Sequence, residues 1–203
     1  MINLDDVARN TSRHIRLCKD EWYVSLWRSE DITFNPRKLN EQLEKISLER
    51  LQDHINGKHT TVSPKKEEYV DNVILNIALQ ESIDRDIGVS STTLNWNSLG
   101  TSATAEVITQ TDLVAELTDT AYARKQFSTA GTRGRTGQSA ILAMLWDDTS
   151  LDSTPTTIRE AGIHWHLSDS SKCHARAVFS DFSFDAGDTF IVRATELQQN
   201  GSL

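Results

Sequence analysis

Thr157-Ile158-Arg159-Glu160-Ala161-Gly162-Ile163-His164-Trp165-His166-Leu167 is the stretch on which the fold turns. Ile158, Glu160 and Gly162 alternate with Arg159, Ala161 and Ile163, the period of two that marks a strand. Ser168-Asp169-Ser170-Ser171 supplies a turn, and His174 to Phe179 reads as the neighbouring antiparallel strand. There Ala175, Ala177 and Phe179 share one face and leave Arg176 and Val178 on the other. Arg159 and Glu160 point to opposite faces, so they do not pair with each other; Arg176 is a candidate partner for Glu160 or for Asp112. Asp185-Ala186-Gly187-Asp188 then turns the chain into a last strand from Thr189 to Ala194.

Strand texture extends upstream from this hairpin. Ser139 to Trp146 is apolar enough for a strand buried on both faces. Thr93-Leu94-Asn95-Trp96 and Ala105-Glu106-Val107-Ile108-Thr109 also read as strands, and Asp112 to Arg124 as a short helix or a bulged strand. Several strands at short spacing predict an antiparallel sandwich or small barrel. Before residue 89 the texture differs. Ser63-Pro64 is an N-cap followed by proline, and Val70, Val73, Ile74, Ile77 and Ala78 lie at helical spacing up to a stop at Gly88. A second helix is expected from Asn35-Pro36, with Leu39, Leu43 and Ile46 on one face, a break near Ser47, and a short continuation to Gly57. His14 to Trp27 fits either a helix (Ile15, Cys18, Trp22) or a strand (Trp22, Val24, Leu26). The expected class is therefore α+β: a mainly helical docking or oligomerisation region over 1–88, then an antiparallel β-sandwich-like domain over 89–203.

Composition narrows the function. The 203 residues carry a formal charge of -8, against the basic excess by which proteins coat nucleic acid, so generic nucleic-acid binding is disfavoured. The longest apolar run, Ala140 to Trp146, is far short of the roughly 20 residues of a membrane span, and Met1 to Asn10 lacks the pattern of a signal peptide. Cys18 and Cys173 form neither a disulfide framework nor a zinc motif, and read as small buried residues.

Three histidines are the chemical lead. His164 and His166 share a face of one strand and His174 falls on the next, so three imidazoles could converge as zinc ligands in a small metalloenzyme. The competing reading is that they are surface or interface histidines around Trp165. Gly131-Thr132-Arg133-Gly134-Arg135-Thr136-Gly137 is either an anion-contacting loop or a hairpin tip, and is not a P-loop. No Gly-x-Ser-x-Gly elbow is present, and the pairs Asp5-Asp6 and Asp147-Asp148 read as solvated turns or caps.

Five segments in order carry a resemblance: Gly100-Thr101-Ser102-Ala103-Thr104-Ala105, Thr111-Asp112-Leu113-Val114-Ala115-Glu116, Thr157 to Ile163, Ala175-Arg176-Ala177-Val178-Phe179, and Gly187-Asp188-Thr189-Phe190-Ile191-Val192. Over about residues 95 to 195 the chain resembles a group of structural proteins of tailed phages and tailed archaeal viruses, departing from it at His164-Trp165-His166. The resemblance implies a non-enzymatic tail, baseplate, neck or fibre-attachment component without a cofactor, in a virion assembled in the host cytoplasm. It implies three-fold or six-fold self-assembly with other virion proteins as partners. A head-decoration protein, or a tip module binding a host receptor or glycan, is the alternative.

Overall fold

The computed structural model describes residues 21–58, 61–89, 93–119, 122–136, 139–147, 156–167 and 173–197. The expected turn at Ser168-Asp169-Ser170-Ser171, Cys18, the Asp5-Asp6 pair, Asp148, Gly137, the Met1–Asn10 segment and the tail from Gln198 lie outside them. Among the described residues, ten strands form two five-stranded antiparallel sheets, with three helices: an α+β fold. Sheet A has the order β2-β1-β10-β7-β6 and sheet B the order β3-β9-β8-β4-β5, with β5 (Lys125–Gln126) at one edge.

In sheet A, β1 (Glu21–Arg28), β10 (Asp188–Leu197) and β7 (Ser139–Asp147) are central, flanked by β2 (Lys66–Asp71) and β6 (Gly131–Thr136). Each central strand buries both faces. Trp22, Val24 and Leu26, with Leu142, Met144, Trp146, Phe190, Val192 and Ala194, face sheet B. Trp27, Ala143, Leu145 and Ile191 face the other way, against Leu39, Leu43 and Ile46 of helix α1 (Leu39–Ile55). Two apolar registers one residue apart explain why Ser139 to Trp146 reads as uninterrupted hydrophobicity. Helix α1 starts where expected: Pro36 opens a 3-10 turn, and the Asn35 side chain accepts a hydrogen bond from the Arg37 N–H at 3.0 Å. It ends at Asn56, with Gly57 at φ 65°. No break occurs at Ser47; the helix runs on with Leu48, Leu51 and Ile55 exposed.

Sheet B contributes Leu99 from β4 (Trp96–Gly100), Ile158, Ala161 and Ile163 from β8 (Thr156–His164), and Ala175, Ala177, Phe179, Phe182 and Phe184 from β9 (Cys173–Phe184) to the shared core. Phe179 and Phe182 both reach that core because the β8–β9 register shifts between Ile158 and Glu160. This irregularity also turns Ile158 inward while Glu160 and Gly162 face outward, so the three do not share one face as simple alternation expects. The sandwich joining the sheets is filled by aromatic rings: Phe179, Phe182 and Phe184 surround Phe190 at centroid distances of 6.0, 5.4 and 6.1 Å.

Several expectations require correction. The long helix after Ser63-Pro64 is instead β2, then β3 (Val73–Ile74), then helix α2 (Asn76–Asp86), which stops at Gly88 with φ 76°. Val70 packs on the sandwich core beside β1, while Val73 and Ile74 pair with Arg176 and Ala175, so the chain crosses from one sheet to the other at Asn72. The apolar spacing mimics a helical stripe because the chain changes sheets there. Ala105 to Thr109 forms no strand, and the described residues of Asp112 to Arg124, 112–119 and 122–124, are neither helix nor strand beyond a single bridge between Glu116 and Gly100. Finally, residue 88 is not where the sheets divide the chain. Strand β1 lies between β2 and β10, with Val24 opposite both Glu68 and Val192, so the first half supplies a central strand of sheet A. At the far edge of sheet A, β6 makes Gly131 to Thr136 an edge strand, not a loop, with Arg133 and Arg135 exposed.

Candidate functional site

The outer face of sheet B carries polar groups, and the irregular residues 101–119 and 122–124 lie over them. Two glycines make the room. A Cβ on Gly100 would collide with the Glu160 carboxylate and the Ala115 carbonyl, and one on Gly162 would lie 2.8 Å from His164 Nε2 and 3.0 Å from Leu113 Cδ2.

Glu160 and Arg176 are both fully buried and joined by Arg176 Nε donating to Glu160 Oε2 at 2.7 Å. Of the two partners open to Arg176, the structure takes Glu160. The carboxylate also accepts from the backbone N–H groups of Ala115 (2.8 Å), Val114 (3.2 Å) and Ser102 (3.3 Å). Arg176 further donates to the Thr104 carbonyl at 2.8 Å and Gln110 Oε1 at 3.1 Å. A buried ion pair whose spare donors and acceptors all bind one segment is a staple: it holds 101–116 on the sheet.

Beside it lies a second group. Arg124 donates to Glu116 through Nε and Nη2, both at 2.7 Å, to both Asp112 oxygens at 3.0 and 3.1 Å, and to the His166 carbonyl at 3.0 Å. His164, at the end of β8, is fully buried. Its Nε2 lies 2.6 Å from Ser98 Oγ. Its Nδ1 has no hydrogen-bond partner and lies 3.7 Å from Asp112 Oδ1. Cys173, the first residue of β9, is buried, with its thiol donating to the Ala175 carbonyl at 3.3 Å. One ligand atom each of Asp112, His164 and Cys173 lies within 4.8 Å of the others.

Burial sets the protonation chemistry. It pushes the Asp112 carboxyl up to about 6 against the pull of Arg124. It holds His164 well below the ordinary imidazole range, reinforced by the charge of Arg124 and by His174. It raises the Cys173 thiol above its usual range. His164 is therefore a neutral imidazole at pH 7.

The three expected histidines do not converge. The strand ends at His164, so His166 leaves the sheet face and contributes its backbone carbonyl to Arg124. His174 sits edge-on to Trp165 at 5.0 Å, where the β8–β9 register shifts a second time. The side chains gathered at His164 are those of Asp112 and Cys173. Ser98, His164 and Asp112 follow the order of a hydrolase triad, yet the Asp112 leg is longer than a hydrogen bond and Ser98 is fully buried. The Ser98 hydroxyl thus serves here to hold the imidazole. Sequence reasoning missed Asp112 and Cys173 as neighbours of His164, since the meeting depends on an irregular segment folding back over the sheet; the Cys173-His174 pair opposite His164 was the available signal.

A different surface lies beside α1. A groove of about 510 Å³ between α1 and β2 is lined by Arg50, Leu51, His54, Lys58, Glu67 and Tyr69, among others. Its floor is fixed by Arg50, which donates to Glu67 at 2.7 and 2.9 Å, and by the Tyr23 hydroxyl, which donates to Glu67 at 2.9 Å. Compared with protein-family models, curated proteins and solved structures, the chain matches none of them.

Proposed function

We propose that the protein is a structural component of a tailed virus particle, of the tail, baseplate, neck or fibre-attachment class, that works by symmetric self-assembly. The sequence resemblance over 95 to 195 supports the class. The observation that carries the assembly reading is a pair of dissimilar exposed apolar patches on different sheets.

Along α1, which covers sheet A, Leu48, Leu51 and Ile55 are 68%, 57% and 68% exposed and recur at i, i+3 and i+7, one side of the helix. At the end of α2, which packs against β9 of sheet B, Ile83, Ile87 and Val89 are exposed. One patch on its own would suit a two-fold dimer. Two unlike patches suit a head-to-tail contact, which closes into a ring when the rotation divides the circle.

The test is mass in solution with particle imaging by negative stain. A ring of three or six copies is expected, dissociated by Leu51→Lys and independently by Ile87→Lys. A monomer at every concentration up to the solubility limit overturns the reading. So does a dimer that one of the two substitutions leaves intact.

A further inference from the structure

We propose that Asp112, His164 and Cys173 form a site for a divalent transition-metal ion, best suited to zinc, that pins the 101–119 segment to sheet B. The donors are Asp112 Oδ1, His164 Nδ1 and Cys173 Sγ.

The argument starts from His164 Nδ1, a buried nitrogen with no hydrogen-bond partner. Metal binding uses the tautomer in which Nε2–H donates to Ser98 Oγ, 2.6 Å away, which leaves the lone pair on Nδ1, 3.7 Å from Asp112 Oδ1. The far nitrogen of a metal-binding imidazole usually donates to a carboxylate, a backbone carbonyl or water, and the Ser98 hydroxyl takes that place here. The separations fit as well. Zinc bonds of about 2.0–2.3 Å at tetrahedral angles place ligand atoms about 3.3–3.6 Å apart. His164 Nδ1 and Asp112 Oδ1 are 3.7 Å apart, and one ligand atom each of Asp112, His164 and Cys173 lies within 4.8 Å of the others. Asp112 Oδ1 accepts from the Leu113 N–H at 2.9 Å and from Arg124 Nη2 at 3.1 Å; an ion on Oδ1 takes the place of that longer Arg124 bond, while Arg124 keeps Asp112 through Oδ2 at 3.0 Å.

Charge favours a divalent ion. Asp112, Glu116 and a Cys173 thiolate carry three negative charges, balanced by Arg124 and a dication. Binding removes one proton, from the Cys173 thiol to solvent, and makes the bonds to sulfur, nitrogen and oxygen; no electron is transferred. A thiolate with an imidazole selects zinc over magnesium or calcium, whose ligands are oxygens. Three protein donors leave the fourth tetrahedral position to water.

The full-length chain, stripped with a chelator under reducing conditions, is titrated with Co²⁺ and then Zn²⁺. The expected result is a thiolate-to-cobalt charge-transfer band with visible bands of four-coordination, displaced by one equivalent of zinc. Zinc-edge X-ray absorption on the unmutated chain should show about one sulfur at about 2.3 Å. Cys173→Ser should abolish the charge-transfer band, and Ser98→Ala should weaken zinc binding about 10- to 100-fold. His166→Gln should leave both unchanged. Absence of the cobalt band, absence of sulfur at the zinc edge, or a band that survives Cys173→Ser overturns the proposal. Should Cys173→Ser not fold, the X-ray absorption of the unmutated chain decides alone.

Discussion

Glu160 gathers three backbone N–H groups and one guanidinium onto a carboxylate that water does not reach. Glu160→Gln leaves Arg176 buried beside a neutral amide and should destabilise the protein by about 3–5 kcal/mol in urea unfolding. Glu160→Met combined with Arg176→Met should cost less than the sum of the two single changes, because each single change strands the partner's buried charge. A double change that costs as much as the sum of two single ones would contradict the staple. A second prediction concerns pH. The Arg50 hydrogen bonds hold the Glu67 carboxyl below its ordinary value of 4.5, with burial opposing and the Tyr23 hydrogen bond assisting. A lowered folded value means the stabilisation is complete above pH 4.5 and is lost as pH falls through the folded value. Glu67→Gln should therefore flatten the acid side of the stability–pH curve, read from thermal melts at stepped pH, and leave the neutral region parallel to the unmutated chain. The sequence offered Glu160 as one of two partners for Arg176. It could not show that Ser102, Val114 and Ala115 complete the set, because those contacts join irregular backbone to a strand.

Helix α1 shows two kinds of leucine. Leu43 is buried against Ala143, Leu145 and Ile191, whereas Leu51 is mostly exposed. Leu43→Ala should cost about 2–5 kcal/mol in chemical unfolding. Leu51→Ala should fall within about 0.5 kcal/mol for a protomer kept dilute. Equal losses at both positions would mean that the helix packs with another face. The inner stripe Leu39, Leu43, Ile46 was legible because a helix on a sheet shows its buried face as a 3.6-residue period. The exposed Leu48, Leu51 and Ile55 led the sequence reading to a break at Ser47 that the structure lacks: periodicity marks apolar faces and does not say which of them the protein covers. The β2–β3–α2 stretch misled for the opposite reason. Val70 serves sheet A while Val73 and Ile74 serve sheet B, and their combined spacing imitates a single helical stripe.

At the scale of the molecule, β1 ties the two ends of the chain together by pairing residue for residue with β10, from Glu21 opposite Thr195 to Arg28 opposite Asp188. A chain truncated to residues 89–203 loses β1 from the middle of sheet A, together with Trp22, Val24 and Leu26 from the core. It should show no cooperative thermal melt, and a melt within a few degrees of the full chain would return the first 88 residues to the status of a separate region. What the sequence determined by itself was local. It set the α+β class, the antiparallel strands after residue 156, the fully buried strand at Ser139 to Trp146, the turn at Gly187 and the start of α1, because each follows from side-chain period and turn chemistry within a dozen residues. Only the tertiary structure decided that β1 is central, that a chain crossing sheets at Asn72 is not a helix, and that Asp112 and Cys173 meet His164 beneath an irregular segment. Those outcomes rest on pairings between residues far apart in the chain, and a local pattern carries no record of its distant partner.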